Sequence, residues 1–195
     1  MRALTPTLQF APERRAQAQS VRAVIFDVDG VLTDGTLFIS EAGETLKAFH
    51  ALDGHGIKLL AQAGITPIVI TGRDSPAVRR RLKDLGVQHA AFGAHDKLAV
   101  AEPLLAELGL TWDQMAVMGD DWPDLPLFLR AGFAVAPANA HAEVKAAAHH
   151  ITSVIGGQGA ARECCDLILW ATGRYEAMLH GHLKTLDTTA DGVRR

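Results

Sequence analysis

The sequence is poor in several features that would each have pointed somewhere specific. Its 195 residues hold two cysteines, and these are adjacent, Cys164 and Cys165, so no loop-closing disulfide framework is available. The pair reads as two small residues on the core side of a helix, in a reducing compartment. Charge of one sign is not in surplus either. Nineteen Lys and Arg face 22 Asp and Glu, a formal net of −3, which offers a nucleic acid no broad basic surface. No apolar run is long enough to span a bilayer, and Arg14 and Arg15 interrupt Met1 to Ser20, where a secretory leader would lie. These absences lead us to expect a cytoplasmic protein that partners neither membrane nor nucleic acid. Internal repeats and low-complexity tracts are missing as well.

What is present is apolar content, 48% of the chain, which at this length suits one compact domain with a sizeable core. Residues 1–20 mix Pro, Gln, Arg and Ala without clear periodicity and read as a loose extension; residues 187–195 read as a loose tail. Between them, in a domain spanning 21–186, short apolar runs sit beside Gly, Asp or Pro: Val24-Ile25-Phe26, Ile68-Val69-Ile70, Ala116-Val117-Met118 and Ala134-Val135. Runs of this kind are expected of buried parallel strands. Val78, Leu82 and Leu85, and later Leu98, Ala101, Leu104, Leu105 and Leu108, are spaced for one face of a helix. Strand followed by helix, repeated, predicts a doubly wound α/β sheet. One segment breaks the rhythm: Thr36 to Phe49 has two strand-like halves around Ala42-Gly43, the pattern of a β-hairpin, too short to be a second domain.

The chemistry-bearing residues cluster at the ends of the apolar runs. The first run ends in Phe26-Asp27-Val28-Asp29-Gly30, which places two carboxylates where α/β folds bind ligands. Such a pair on its own is commonly a solvated turn or a cap. The second run ends in Thr71-Gly72-Arg73, whose hydroxyl, amide and guanidinium suit phosphate oxygens, although Asp74 or Ser75 before Pro76 makes a helix cap the better account of this stretch taken alone. Lys97 follows Gly93-Ala94-His95-Asp96 at a helix start, where a cation opposes the macrodipole and needs an anionic partner or water. The third run ends in Gly119-Asp120-Asp121-Trp122-Pro123-Asp124, three carboxylates in five residues. They repel one another unless a cation such as magnesium, which prefers oxygen ligands, holds them. Each element alone has a bland reading, but the four in succession point to phosphoryl chemistry.

In that order these stretches resemble the four motifs of the haloacid dehalogenase superfamily, over roughly Val24 to Asp124. The resemblance implies a Rossmann-like fold and an Mg²⁺-dependent reaction in which Asp27 is the nucleophile that becomes an aspartyl phosphate. Asp29 would be the general acid and base, an assignment that selects phosphatases and mutases within the superfamily. Thr71 and Lys97 would hold the phosphoryl group, with Gly72 and Arg73 at the substrate. Asp27, the Asp29 carbonyl and Asp120 would bind the metal, supported by Asp121 and Asp124.

The hairpin, Phe49-His50, Asp53-Gly54-His55-Gly56 and Gly156-Gly157-Gln158-Gly159-Ala160-Ala161-Arg162-Glu163 extend the match to about Gly173. They are similar to one capless branch, the 3-deoxy-D-manno-octulosonate 8-phosphate phosphatases of lipopolysaccharide synthesis. That branch implies a small sugar-phosphate substrate and no cap domain. It also implies a homotetramer built through the hairpins, in which Arg162 and a neighbouring subunit's Asp53 and His55 contribute to substrate binding. Leu52 departs from the Arg expected before the Asp-Gly pair in many relatives, which leaves a phosphatase of another sugar acid, such as a nonulosonate 9-phosphate, as the alternative. A phospho-receiver domain is the rival from another class, but it would carry its phosphorylated Asp on the third strand.

Overall fold

The structure is a computed structural model that describes residues 5–190. Six parallel strands form the central sheet: β1 (Ala23–Phe26), β4 (Thr66–Ile70), β5 (His89–Ala91), β6 (Met115–Met118), β7 (Phe133–Ala136) and β8 (His150–Ile151). Their order across the sheet is β5-β4-β1-β6-β7-β8. The first strand is therefore central, with Ala23 in register with Thr66 on one side and Met115 on the other. The chain builds outward on one side of β1 and then crosses to the other. That reversal opens a crevice at the carboxyl ends of the strands.

The four apolar runs are β1, β4, β6 and β7, and each is buried almost throughout because helices cover both faces of the sheet. Successive side chains of β1 divide between the two cores. Val24 and Phe26 pack with Ile57, Leu60 and Leu167, while Ala23 and Ile25 pack with Ala101, Leu105 and Val144. On the first face lie α2 (Ala51–Gln62), α3 (Pro76–Leu85) and α7 (Ala160–Ala171); on the second lie α4 (Lys97–Leu108), α5 (Leu125–Phe128) and α6 (Ala142–Ala147). Cys164 and Cys165 sit on the buried face of α7 as free thiols, their pKa values pushed upward by burial.

Three features differ from the sequence expectation. The stretch read as loose contains a helix, α1 (Pro12–Ala18), because Phe10, Ala18 and Val21 pack into the first core; three anchors are too few to produce a visible period. Helix α8 (Tyr175–Ala190) runs past 187, so the tail expected there lies partly in a helix, and 191–195 fall outside the described residues. The edge strands β5 and β8 have only three and two residues and are only partly buried, so no apolar run marked them.

The hairpin is as expected, β2 (Phe38–Ser40) against β3 (Gly43–Leu46), a separate two-stranded sheet. Its exposed apolar residues are Phe38, Ile39 and Leu46. Of the hairpin's apolar residues that would be expected to face outward, Phe49 packs against the core and Leu37 is half-buried beside the main crevice.

Candidate active site

The crevice is a cavity of about 460 Å³, and Asp27, Asp29, Thr71, Gly72, Arg73, Lys97, Asp120, Asp121 and Asp124 all line it. Asp27 ends β1, its backbone N–H donating to the Met118 carbonyl at 3.0 Å. Thr71 is buried at the end of β4, where its Oγ1 accepts the Arg73 N–H at 3.3 Å. Lys97 opens α4 with its side chain only 4% exposed, and its ammonium reaches Asp27 Oδ1 at 2.9 Å and Asp124 Oδ1 at 2.6 Å. The anionic partner that a lysine at a helix start requires is therefore provided twice over.

Asp120 enters from the end of β6. The other oxygen of Asp124, Oδ2, accepts the backbone N–H groups of Asp120 at 3.0 Å and Asp121 at 3.3 Å, so Asp124 fixes the turn that presents Asp120. Gly30, in left-handed backbone at φ 86°, makes room on the opposite side: a Cβ there would lie 2.0 Å from Asp120 Oδ2. Asp121 is turned to a local task, capping Trp122 N–H at 2.8 Å.

Ligand oxygens of Asp27, Asp120 and Asp124 all lie within 4.8 Å of one another. Their mutual repulsion shows in the electrostatics. Burial, then the Asp124 charge, raises Asp27 to about 6 despite Lys97. Burial, then Asp27, Asp124 and Asp121, raises Asp120 to about 7. Burial pulls the Lys97 ammonium down, but Asp27 and Asp124 outweigh it and hold its pKa above the ordinary value. One lysine against three crowded carboxylates leaves room for further positive charge, and an all-oxygen donor set suits a hard divalent cation. The residues fit magnesium.

Asp29 stands apart from that cluster. Its carboxylate, 23% exposed, is held by Lys47 through Oδ1 and by Arg73 Nε at 3.7 Å from Oδ2. Sequence reasoning missed Lys47 and its companion Glu44, as well as Leu37 and His95 on the cavity wall. The only signal for Lys47 and Glu44 was a charged pair three residues apart in a strand-like stretch, which reads as a solvated face.

The structure does not bring Asp53, His55 and Arg162 of the same chain to this cavity. Asp53 is 2% exposed and accepts the N–H of Arg162 at 2.8 Å and of Gly159 at 3.3 Å, clamping the start of α7 to the start of α2. The Arg162 guanidinium pairs with Asp166 through Nε at 2.9 Å. His55 and Arg162 line a separate cavity of about 240 Å³ between α2, α7 and α8. Gly156 and Gly157 serve close packing: a Cβ on Gly156 would sit 1.8 Å from the Gly30 carbonyl oxygen and one on Gly157 2.5 Å from the Asp34 backbone nitrogen, while Gly157 N–H donates to Val31 at 3.0 Å.

A haloacid dehalogenase-like hydrolase family profile matches residues 93–162. The 3-deoxy-D-manno-octulosonate 8-phosphate phosphatase KdsC of Haemophilus influenzae is 46% identical over 172 residues, covering 87% of this chain and 96% of that protein. The chain belongs to the 3-deoxy-D-manno-octulosonate 8-phosphate phosphatase family. Solved structures agree. A probable YrbI family phosphatase from Pseudomonas syringae pv. phaseolica superimposes with a TM-score of 0.86 at 47% identity, covering 89% of this chain and 98% of that one. The family enzyme from Moraxella catarrhalis, solved with a magnesium ion, a phosphate ion and a KDO molecule, superimposes with a TM-score of 0.84 at 38% identity, covering 87% and 98%. Like these phosphatases the chain has no cap domain among its described residues; the hairpin is the insertion that follows the first strand. No helix among those residues is long and apolar enough to cross a membrane.

Proposed function

We propose that this family member hydrolyses 3-deoxy-D-manno-octulosonate 8-phosphate to the free sugar acid and phosphate, in lipopolysaccharide synthesis. The observation that carries the reaction type is the Asp27 carboxylate, at the base of the cavity, with Lys97 on Oδ1 and Asp120 and Asp124 beside it. Asp27 attacks phosphorus as the bond to the sugar oxygen breaks, and the proton on Asp29 passes to that oxygen, because a sugar alkoxide is too poor a leaving group to depart unprotonated. Water then attacks the aspartyl phosphate, Asp29 takes its proton, and the Asp27 carboxylate returns as phosphate leaves.

Lys97 and the Thr71 hydroxyl hold phosphoryl oxygens, and the Gly72 and Arg73 side of the cavity receives the remainder of the phosphate. Magnesium, which Asp27, Asp120 and the Asp29 carbonyl would hold, supplies positive charge against the developing negative charge of the phosphoryl group. Asp124 keeps Asp120 aimed, and the Asp27–Lys97 pair keeps the nucleophile ionised and in place. The enzyme is expected to work in the cytoplasm as a homotetramer. The open cavity needs covering, and Arg162 of one copy with His55 of a neighbouring copy would approach the substrate, while Asp53, 2% exposed, would act by holding the start of α7 in place.

Leu52, exposed at the start of α2, keeps a second substrate in view, a nonulosonate 9-phosphate. A phosphate-release panel separates the two: kcat/KM at least about tenfold higher for the octulosonate ester, roughly 1.4 kcal/mol of transition-state preference, supports the first reading. The reverse order assigns the longer sugar acid.

A further inference from the structure

Lys47 follows β3 at the base of the hairpin and turns back into the protein, its side chain 1% exposed. Its ammonium touches Asp29 Oδ1 and lies 3.1 Å from Glu44 Oε2. A buried ammonium is costly unless paired, and here both partners are protein carboxylates. Lys47 does not line the substrate cavity, so it is poorly placed to bind substrate itself. The Lys97 cluster grips the nucleophile, whereas Asp29 takes its hold from the hairpin through Lys47 and from the β4 loop through Arg73.

We propose that Lys47 is the positioning residue of the acid–base carboxylate, tying the orientation of Asp29 to the seat of the hairpin. This rests on the reading of Asp29 given above. Glu44 offsets the lysine charge, so the tether aligns Asp29 without adding a net cation beneath it. With the tether intact the Asp29 proton is aimed at the departing sugar oxygen in the first transfer, and in the second the carboxylate is aimed at the attacking water. Without it Asp29 keeps only the more distant Arg73 contact.

The test is rapid-quench kinetics of the first phosphoryl transfer on two substrates, the octulosonate 8-phosphate and p-nitrophenyl phosphate, whose leaving group needs little protonation. Lys47→Met is expected to slow transfer from the sugar phosphate about 100-fold, at the lower end of what a positioned acid contributes, and to slow the p-nitrophenolate burst by less than about fivefold. KM should stay within about threefold. In the Asp29→Asn background the same substitution should cost nothing further.

Should Lys47→Met not fold, because Glu44 loses the lysine that offsets its charge, the doubly substituted Glu44→Gln, Lys47→Met protein removes both charges and carries the same comparison. Equal losses on the two substrates, a loss confined to KM, or full losses that multiply with Asp29→Asn would overturn the proposal. Asp29→Asn by itself showing no leaving-group dependence would instead overturn the acid–base reading of Asp29.

Discussion

At the scale of single residues, the site stores repulsion that a cation relieves. Asp27→Asn keeps the volume and removes the nucleophile, so turnover should fall by at least about 1,000-fold with the fold intact; phosphate release and a melting curve measured together check this. Asp120 offers a sharper electrostatic test. Its folded-state pKa of about 7 lies above the unfolded 3.8, so between those values the folded chain holds a proton that the unfolded chain has released. Stability from this group is therefore lost as pH rises through about 7. In chelator, Asp120→Asn should melt above the native protein at pH 8, and the gap should close toward pH 5.5. Magnesium should raise the native melting temperature at pH 8 and do so less at pH 5.5, where it must displace the proton. A gap that widens in acid would contradict the assignment.

At the scale of elements, the loop after β1 is held from the far end of the chain. Gly156 lies against the Gly30 carbonyl, Gly157 N–H bonds Val31, and Asp53 receives the amides that begin α7. Gly156→Ala must push these backbones apart, which overpacking data put at about 1–3 kcal/mol. A melting temperature lowered by several degrees, with kcat falling as the Gly30 side of the Asp120 pocket shifts, is the expected result. By contrast Gly64→Ala, which meets no atom within 4 Å and sits outside the site, should be strained only by its φ of 74° and leave kcat alone.

What the sequence made legible follows the same division. The strands that announced themselves, such as Ile68 to Ile70, are buried on both faces and so are apolar without interruption. Asp27, Thr71, Lys97 and Asp120 were legible because each terminates such a run or opens the helix beyond it. Lys47 was hidden, since its role comes from the fold of a hairpin onto a residue 18 positions earlier. The family resemblance places Arg162 at the substrate, yet in the single chain Asp166, one helical turn on, takes its guanidinium.

At the scale of the whole molecule, Phe38, Ile39 and Leu46 leave the hairpin with three exposed apolar side chains, and an isolated two-stranded ribbon is marginal. The homotetramer proposed above, built through the hairpins, predicts that Ile39→Asp with Leu46→Asp lowers the sedimentation coefficient to that of smaller species. Through the Lys47 tether the double substitution should also lower kcat for the sugar phosphate more than for the aryl ester. A native protein that sediments as a fully active monomer would remove the first expectation, and equal losses on the two esters the second.

The central position of β1 has a consequence for how the chain is made. The strand that carries the nucleophile leaves the ribosome before its partners, residues 66–69 and 115–118, and the loop after it waits for residues 156–157. At about 5–20 residues per second, the second flank of β1 follows its first residues by roughly 5–20 s. For that interval an apolar strand with an unpaired edge is exposed in the cell. A translational pause that holds back residues 115–118 would lengthen this exposure and lower the yield of soluble enzyme, whereas the same pause once residues 156–157 have emerged would find the sheet already closed.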